Sequence, residues 1–316
     1  MEQKSLSKTK TGLVLLLCLI AMLVIDYFSR FAFDAFIFCL TYLATSEFGR
    51  LLFKAGYPSF KYAPEIVAGL MFVLFVIGVL CSFGAVLLLA LEIALIVVSY
   101  GVFFVLSFWI LRKRTQNDDF RLATNMSIAG FSLFKSNNTL VAIFYPSFLM
   151  LMIYFINHIT ELGLSLNTKV AGVPYSLFGI VMLFSIACLT DTFAMAFGLL
   201  IKGKKIFPKI SPKKTISGAI FGLIGGVIGA VATYYAFMLI CGGVFSDIAI
   251  WKILTVGILG AVVAQLGDLF ESYIKRRAGV QDSGDFFRSH GGVLDRFDSI
   301  ILLAPYMFLC LLIMVA

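Results

Sequence analysis

Between Gly267 and Asp298 the sequence reads GDLFESYIKRRAGVQDSGDFFRSHGGVLDRFD, which holds six acids, five bases and one of the chain's two histidines. Apolar runs at 250–266 and 299–316 bound it on both sides. If the first run continues as a helix, Asp268, Ser272 and Lys275 fall at i, i+4 and i+7 on one face. Asp295 and Asp298, at i and i+3, share a face where the second run begins. A helical hairpin would then gather carboxylates from both sides of its loop. Carboxylate oxygens at a water-accessible point suit Mg²⁺, a hard cation that substrate phosphates commonly complete. Lys275, Arg276, Arg277, Arg288 and Arg296 offer cations to phosphate oxygens. Gly291-Gly292, directly after His290, permits close approach of backbone to a ligand. Metal, cations and a glycine turn together read as phosphoryl or nucleotidyl transfer. The plainer alternative is a solvated loop whose charges neutralise one another.

Two other segments hold ionisable groups in unusual places. Asp191, in Leu189-Thr190-Asp191-Thr192, interrupts an apolar run, where a charge is costly and usually functional; the alternative is a structural carboxylate bonded to a neighbouring helix. A lysine-rich segment, Gly203-Lys204-Lys205 through Ser211-Pro212-Lys213-Lys214-Thr215, offers either phosphate clamps or ordinary topology-setting charge. Glu92 reads as an internal hydrogen-bond partner and His158 as an interfacial residue.

The elements that must position these groups are membrane helices. The 316 residues are 61% hydrophobic and 13% charged, far from the roughly one-quarter charged content of soluble chains. About 20 apolar residues cross a bilayer as a helix. On that basis nine spans are expected, near 12–26, 31–48, 65–81, 84–111, 138–157, 175–201, 216–242, 250–270 and 299–316. The first is short but lacks a small-residue cleavage site after it, so it is read as a span rather than a signal peptide. With a cytoplasmic N-terminus, segments 1–11, 49–64, 112–137, 202–215 and 271–298 face the cytoplasm and hold 22 of the 25 Lys and Arg. Splitting 84–111 into two spans would invert every later loop and destroy this positive-inside bias. The bias also accounts for the net charge of +8 without nucleic acid. Segment Asn117–Lys135 mixes charges with Phe and Ile and reads as an interfacial amphipathic helix. The expected fold is an all-α polytopic transmembrane bundle. Residues 1–137 form an N-terminal membrane part of about four spans, and 138–316 a catalytic part of about five. The six cysteines all lie in apolar runs without CxxC or Cys/His spacing, which argues against zinc and a disulfide framework.

The loop pattern resembles the phosphatidate cytidylyltransferase (CDP-diacylglycerol synthase) family. Ser272-x-x-Lys275-Arg276, Asp282, His290-Gly291-Gly292 and Asp295-Arg296-Phe297-Asp298 stand at the family's spacing, preceded by a matching Gly267-Asp268-x-x-Glu271-Ser272. The segments around Asp191 and Lys213-Lys214 also match, so the resemblance covers about residues 175–300 well, with scattered residues such as Glu47 before that. Gln281 departs from the family's usual lysine, and Ser217-Gly218 from its Glu-Gly.

The resemblance implies transfer of the cytidylyl group of CTP to phosphatidate, giving CDP-diacylglycerol and pyrophosphate. It further implies Mg²⁺, with a second cation left open, held by Asp268 and Asp295 and helped by Asp298 and Asp191. Lys213, Lys214, Lys275 and Arg276 become phosphate clamps, and Ser272, Asp282, His290, Gly291, Gly292 and Arg296 line the site. The lipid's acyl chains stay in the bilayer while its headgroup enters a cavity facing the cytoplasm, in the cell (inner) membrane. A homodimer is compatible with this reading. Another CTP-dependent lipid enzyme (a polyprenol kinase or a CDP-ether-lipid synthase) is the nearest alternative, and a secondary transporter a more distant one.

Overall fold

The computed structural model describes residues 21, 29–114, 127–162, 175–241, 245, 248–287 and 291–315. Among them run eight helices long and apolar enough to cross a bilayer: α1 (Arg30–Lys54), α2 (Ala63–Leu80), α3 (Ala85–Arg114), α4 (Ile128–Asn157), α5 (Tyr175–Ile201), α6 (Ile216–Ile240), α7 (Ile250–Arg277) and α8 (Leu294–Val315). The described residues include no strand, only an isolated antiparallel bridge between Lys205 and Thr215. The chain is an all-helical integral membrane protein. Hydrocarbon offers no partner to backbone polar groups, so each spanning segment must bond its own.

Each expected span from 31–48 onward meets its helix, and 84–111 is indeed one helix. The first expected span, near 12–26, lies outside the described residues apart from residue 21. One boundary is corrected. The portion of the expected amphipathic segment that is described belongs to α4, which starts at Ile128 rather than 138 and is 30 residues long. Ser127 caps it, its side chain accepting from the Gly130 amide at 3.0 Å. Ser132, Ser136 and Thr139 are buried along one face, so this polar stripe faces other helices while lowering the hydropathy that marks a span. Within α4, residues Phe144–Phe148 form a π-helical turn containing Pro146, whose ring and missing N–H disrupt a regular helical ladder.

Small residues set the closest helix contacts. A side chain at Gly229 of α6 would meet the Ser185 carbonyl of α5 at 2.8 Å, and one at Gly225 would strike the Leu189 carbonyl. The backbones therefore touch, as membrane helices lacking a strong hydrophobic drive to associate tend to do. Gly267 of α7 likewise lies against the Asp298 carbonyl of α8. That contact brings α7 and α8 together at the level of their acids.

Candidate active site

Among the described residues, the lysine hairpin 204–215, the basic end of α7, the start of α8 and Glu47 of α1 gather at one end of the bundle. α7 finishes with Lys275-Arg276-Arg277, cations placed where the helix dipole favours them. A tight turn follows, with Gly279 at φ +67°, and the chain then wraps around two buried carboxylates before entering α8.

The first is Asp295, in the opening turn of α8. Its Oδ2 accepts from the Gly292 amide at 2.7 Å, the Ser283 amide at 2.9 Å and the Ser283 hydroxyl at 2.8 Å. Its Oδ1 accepts from Lys275 Nζ at 2.7 Å. Gly291, at φ +80°, lies so close to this carboxylate that a Cβ there would collide with it. The second is Glu47 of α1, which is 2% exposed. It accepts from the Val293 amide at 3.1 Å and the Leu294 amide at 2.8 Å, and shares the single proton of Ser283 Oγ, 3.2 Å away, with Asp295. A carboxylate from a different helix thus satisfies the unpaired amides that open α8. Gly284 and Gly292 abut Glu47 too closely for a side chain.

Lys275 lies between two acids, 2.5 Å from Glu271 Oε2 and 2.7 Å from Asp295 Oδ1. Two turns before Lys275 on α7, Asp268 pairs with Lys214 at 2.9 Å and accepts from Ser272 Oγ at 3.3 Å. Lys214 is held by a hairpin: the Ile206 amide donates to the Lys214 carbonyl and the Ile216 amide to that of Lys204. Its Nζ also donates to the Gln265 carbonyl at 3.2 Å. Asp191 of α5 accepts from Ser299 Oγ at 3.1 Å. Asp298, 9% exposed, accepts from the Ser299 amide at 2.7 Å. It lies in the field of Asp268 and Asp191, with Lys275 offsetting part of that charge.

Of the residues singled out from sequence, Asp191, Asp268 and Asp298 therefore meet in one cluster with Lys214. Asp295 and Lys275 meet beside it around Glu271. Arg276 donates to the Ile210 and Val280 carbonyls at 3.1 and 3.2 Å, tying the lysine hairpin to the turn after α7. Lys213, Asp282 and Arg296 are exposed, Ser272 is buried, and Gly291 and Gly292 form the cradle of Asp295. His290 lies outside the described residues. Contributions from Ser283 and Ser299 were not expected from sequence; Glu271 entered as a motif match without a role, and Glu47 only as a scattered match. An acid inside an apolar run, as Glu47 is, was the available signal.

Among the described residues no three His, Cys, Asp or Glu side chains stand positioned to hold a metal ion. The donor set is nevertheless that of a hard divalent cation: oxygen-only and anionic, with acids repelling one another across facing helices. Lys275 Nζ already supplies a fixed positive charge to Glu271 and Asp295. By donor type, the residues present fit such an ion.

Residues 7–314 match a family model described as the Cytidylyltransferase family. The phosphatidate cytidylyltransferase of Rickettsia felis is 41% identical over 130 residues, covering 41% of this chain and 56% of that protein. Its counterpart from Rickettsia bellii is 39% identical over 153 residues, covering 48% and 64%. That of Staphylococcus saprophyticus is 34% identical over 146 residues, covering 46% and 52%. The chain thus matches little more than half the length of these relatives.

Proposed function

The chain belongs to the cytidylyltransferase family, and from that premise we propose that it transfers the cytidylyl group of CTP to phosphatidate, yielding CDP-diacylglycerol and pyrophosphate. A phosphate oxygen of phosphatidate attacks the α-phosphorus of CTP. The bond from that phosphorus to the bridging oxygen breaks, and its electron pair leaves with pyrophosphate. Two anions must approach each other, so fixed cations are needed to suppress their repulsion and stabilise the charge that develops. The observation that carries this reading is a pair of carboxylate–lysine contacts, Lys214–Asp268 and Lys275–Asp295, drawn from three separate segments with α7 supplying one member of each. No protein nucleophile is required.

Mg²⁺, when bound, supplies Lewis-acid stabilisation of phosphate oxygens. Asp268 and Asp295 would hold it, with Asp298 and Asp191 beside them. Lys275 and Lys214 are then cations for substrate phosphates, with Lys213 at the exposed edge. Arg276 keeps the lysine hairpin against α7. Glu47 and the Ser283 hydroxyl keep the loop folded over Asp295. The basic bias of the loops supports a site facing the cytoplasm, in the cell (inner) membrane.

The test is incubation of the purified protein with Mg²⁺, CTP and either phosphatidate or a polyprenol. Pyrophosphate and CDP-diacylglycerol from phosphatidate are expected. Release of CDP with phosphorylation of the alcohol would instead identify a lipid kinase.

A further inference from the structure

An apolar groove of about 970 Å³ runs beside the polar site, between α3, α4 and α7. Ile96 and Val97 of α3, Leu140 and Tyr145 of α4, and Leu269 and Phe270 of α7 are among the residues lining it. The groove and the acid cluster share a wall, because Leu269 and Phe270 directly follow Asp268 in α7. Its mouth opens sideways on the face of the bundle that meets lipid, where Val97 is 64% and Val141 44% exposed.

Tyr145 stands at the seam between the two. Its ring packs on Phe270 with centroids 4.6 Å apart. The residue is 5% exposed, and its hydroxyl has no hydrogen-bond partner. The same hydroxyl faces the charges of Asp298, Glu271 and Asp268. Leaving a buried hydroxyl unpaired is costly, so each such group calls for an explanation. Tyr145 also belongs to the π-helical turn of α4, a local irregularity found frequently at functional sites. A groove of this size is typical of a small-molecule pocket, but its lining carries almost nothing polar except tyrosine hydroxyls. Its occupant must be a hydrocarbon chain that is polar only at the end meeting Tyr145 and the acids. A lipid whose phosphate sits at the cluster has that shape.

We propose that the groove receives an acyl chain of the lipid substrate and that the Tyr145 hydroxyl donates a hydrogen bond to an oxygen at the glycerol end of that lipid. This rests on the reading above that phosphatidate is the acceptor. The headgroup would enter the polar site from the bilayer side with one chain held against α3 and α7. Chain length and Tyr145 would then influence phosphatidate but not CTP.

Three measurements on the full-length protein test this. Val97→Trp and Val141→Trp place bulk at the mouth on surfaces that face lipid. Either is expected to raise the apparent KM for dioleoyl phosphatidate about tenfold, while the KM values for dihexanoyl phosphatidate and CTP stay unchanged. Tyr145→Phe removes one hydroxyl and is expected to lower kcat/KM for phosphatidate about tenfold without moving the KM for CTP. Phosphatidate carrying a photoreactive diazirine in one acyl chain should label α3, α4 or α7 of the wild type. Unlabelled phosphatidate should compete this labelling away, and phosphatidylcholine should not. Equal competition by both lipids would show bulk bilayer lipid only and overturn the proposal, as would labelling confined to other helices or variants indifferent to chain length. A wild type inactive with phosphatidate would sink the underlying reading. An active wild type with unresponsive variants would sink the groove alone.

Discussion

Helix α1 carries a buried acid toward each end, and the two are satisfied in different ways. Asp34 accepts from Asn157 at 2.9 Å and pairs with His158 at 2.6 Å. His158 in turn meets Glu161, and Glu161 meets Arg30 at 2.8 Å. Phe31 and Phe75 pack on the histidine ring, with centroids 5.5 and 5.6 Å away. The circuit closes on itself and pins α1 to the end of α4. Glu47 lies thirteen residues further on, roughly 20 Å along the helix. There the acids are matched by loop amides and by lysines, groups that an incoming phosphate or cation can engage in turn. A buried charge with fixed partners holds helices together; one whose partners are exchangeable can bind. On the proposed function, the first arrangement contributes stability and the second activity.

The largest effect is expected from Asp268→Asn and Asp295→Asn. Each should lower kcat by about a thousandfold or more with the folded, inserted protein retained. The double variant should be little worse than either single one, because residues acting as a unit are not additive. Substantial activity in Asp295→Asn with Mg²⁺ present would refute the shared site. Asp34→Asn should behave in the opposite way. Breaking a buried pair costs about 3–5 kcal/mol, so thermal stability in detergent should fall while the turnover of the surviving folded protein is kept.

Glu47→Gln should come next, since it bridges the two behaviours. The amide keeps one acceptor and turns its NH2 toward either the Val293 or the Leu294 amide, and an unsatisfied group costs about 1–3 kcal/mol. Activity should drop by about a hundredfold on the same scale, with a smaller loss of melting temperature than Asp34→Asn causes. Full activity in Glu47→Gln would remove Glu47 from the site.

A pH dependence follows at the opposite end. Burial alone lowers the proton affinity of His158, but bonds to Asp34 and Glu161 and their charges prevail, so its pKa is raised above the ordinary 6.5. The folded chain therefore holds that proton more tightly than the unfolded one. The resulting stabilisation is complete below about pH 6.5 and is lost as pH rises through the raised folded value. Melting curves across that window should show the decline, and His158→Gln should flatten it without changing kcat. An unaltered pH profile in that variant would assign the decline elsewhere.

The smallest effect separates two adjacent lysines. Lys214, paired with Asp268, should on replacement by alanine raise the KM for CTP or phosphatidate about tenfold. Exposed Lys213 should change it by no more than about threefold, the weight of a screened surface charge. Equal effects would mean that only the net charge of the hairpin counts.

Much of this was legible in the sequence. Apolar runs and the distribution of Lys and Arg located the spans, because the bilayer imposes both rules directly. The i, i+4 spacing on α7 foretold the contact of Ser272 with Asp268, and the ends of the apolar runs put the acids of α7 and α8 on either side of one loop. What stayed hidden depended on partners distant in sequence. Glu47 caps α8 from a helix more than two hundred residues away, and no local pattern encodes such a contact. The start of α4 was concealed because Ser132, Ser136 and Thr139 are polar yet buried against other helices. The full engagement of Asp295 by Ser283 and Gly292 depends on the fold of a loop whose composition alone reads as solvated.

On the proposed function, the acids at the basic end, and not those at the other, make a cation site for nucleotide transfer. The direct test is titration of the purified protein with Mn²⁺, a paramagnetic replacement for Mg²⁺, followed by electron paramagnetic resonance in the presence of CTP. Wild type and Glu161→Gln should immobilise Mn²⁺ with equal affinity, and Asp268→Asn should weaken it about a hundredfold, in line with the loss of several kcal/mol that removing a charged ligand causes. Unchanged Mn²⁺ affinity in Asp268→Asn, or loss of binding in Glu161→Gln, would contradict the account.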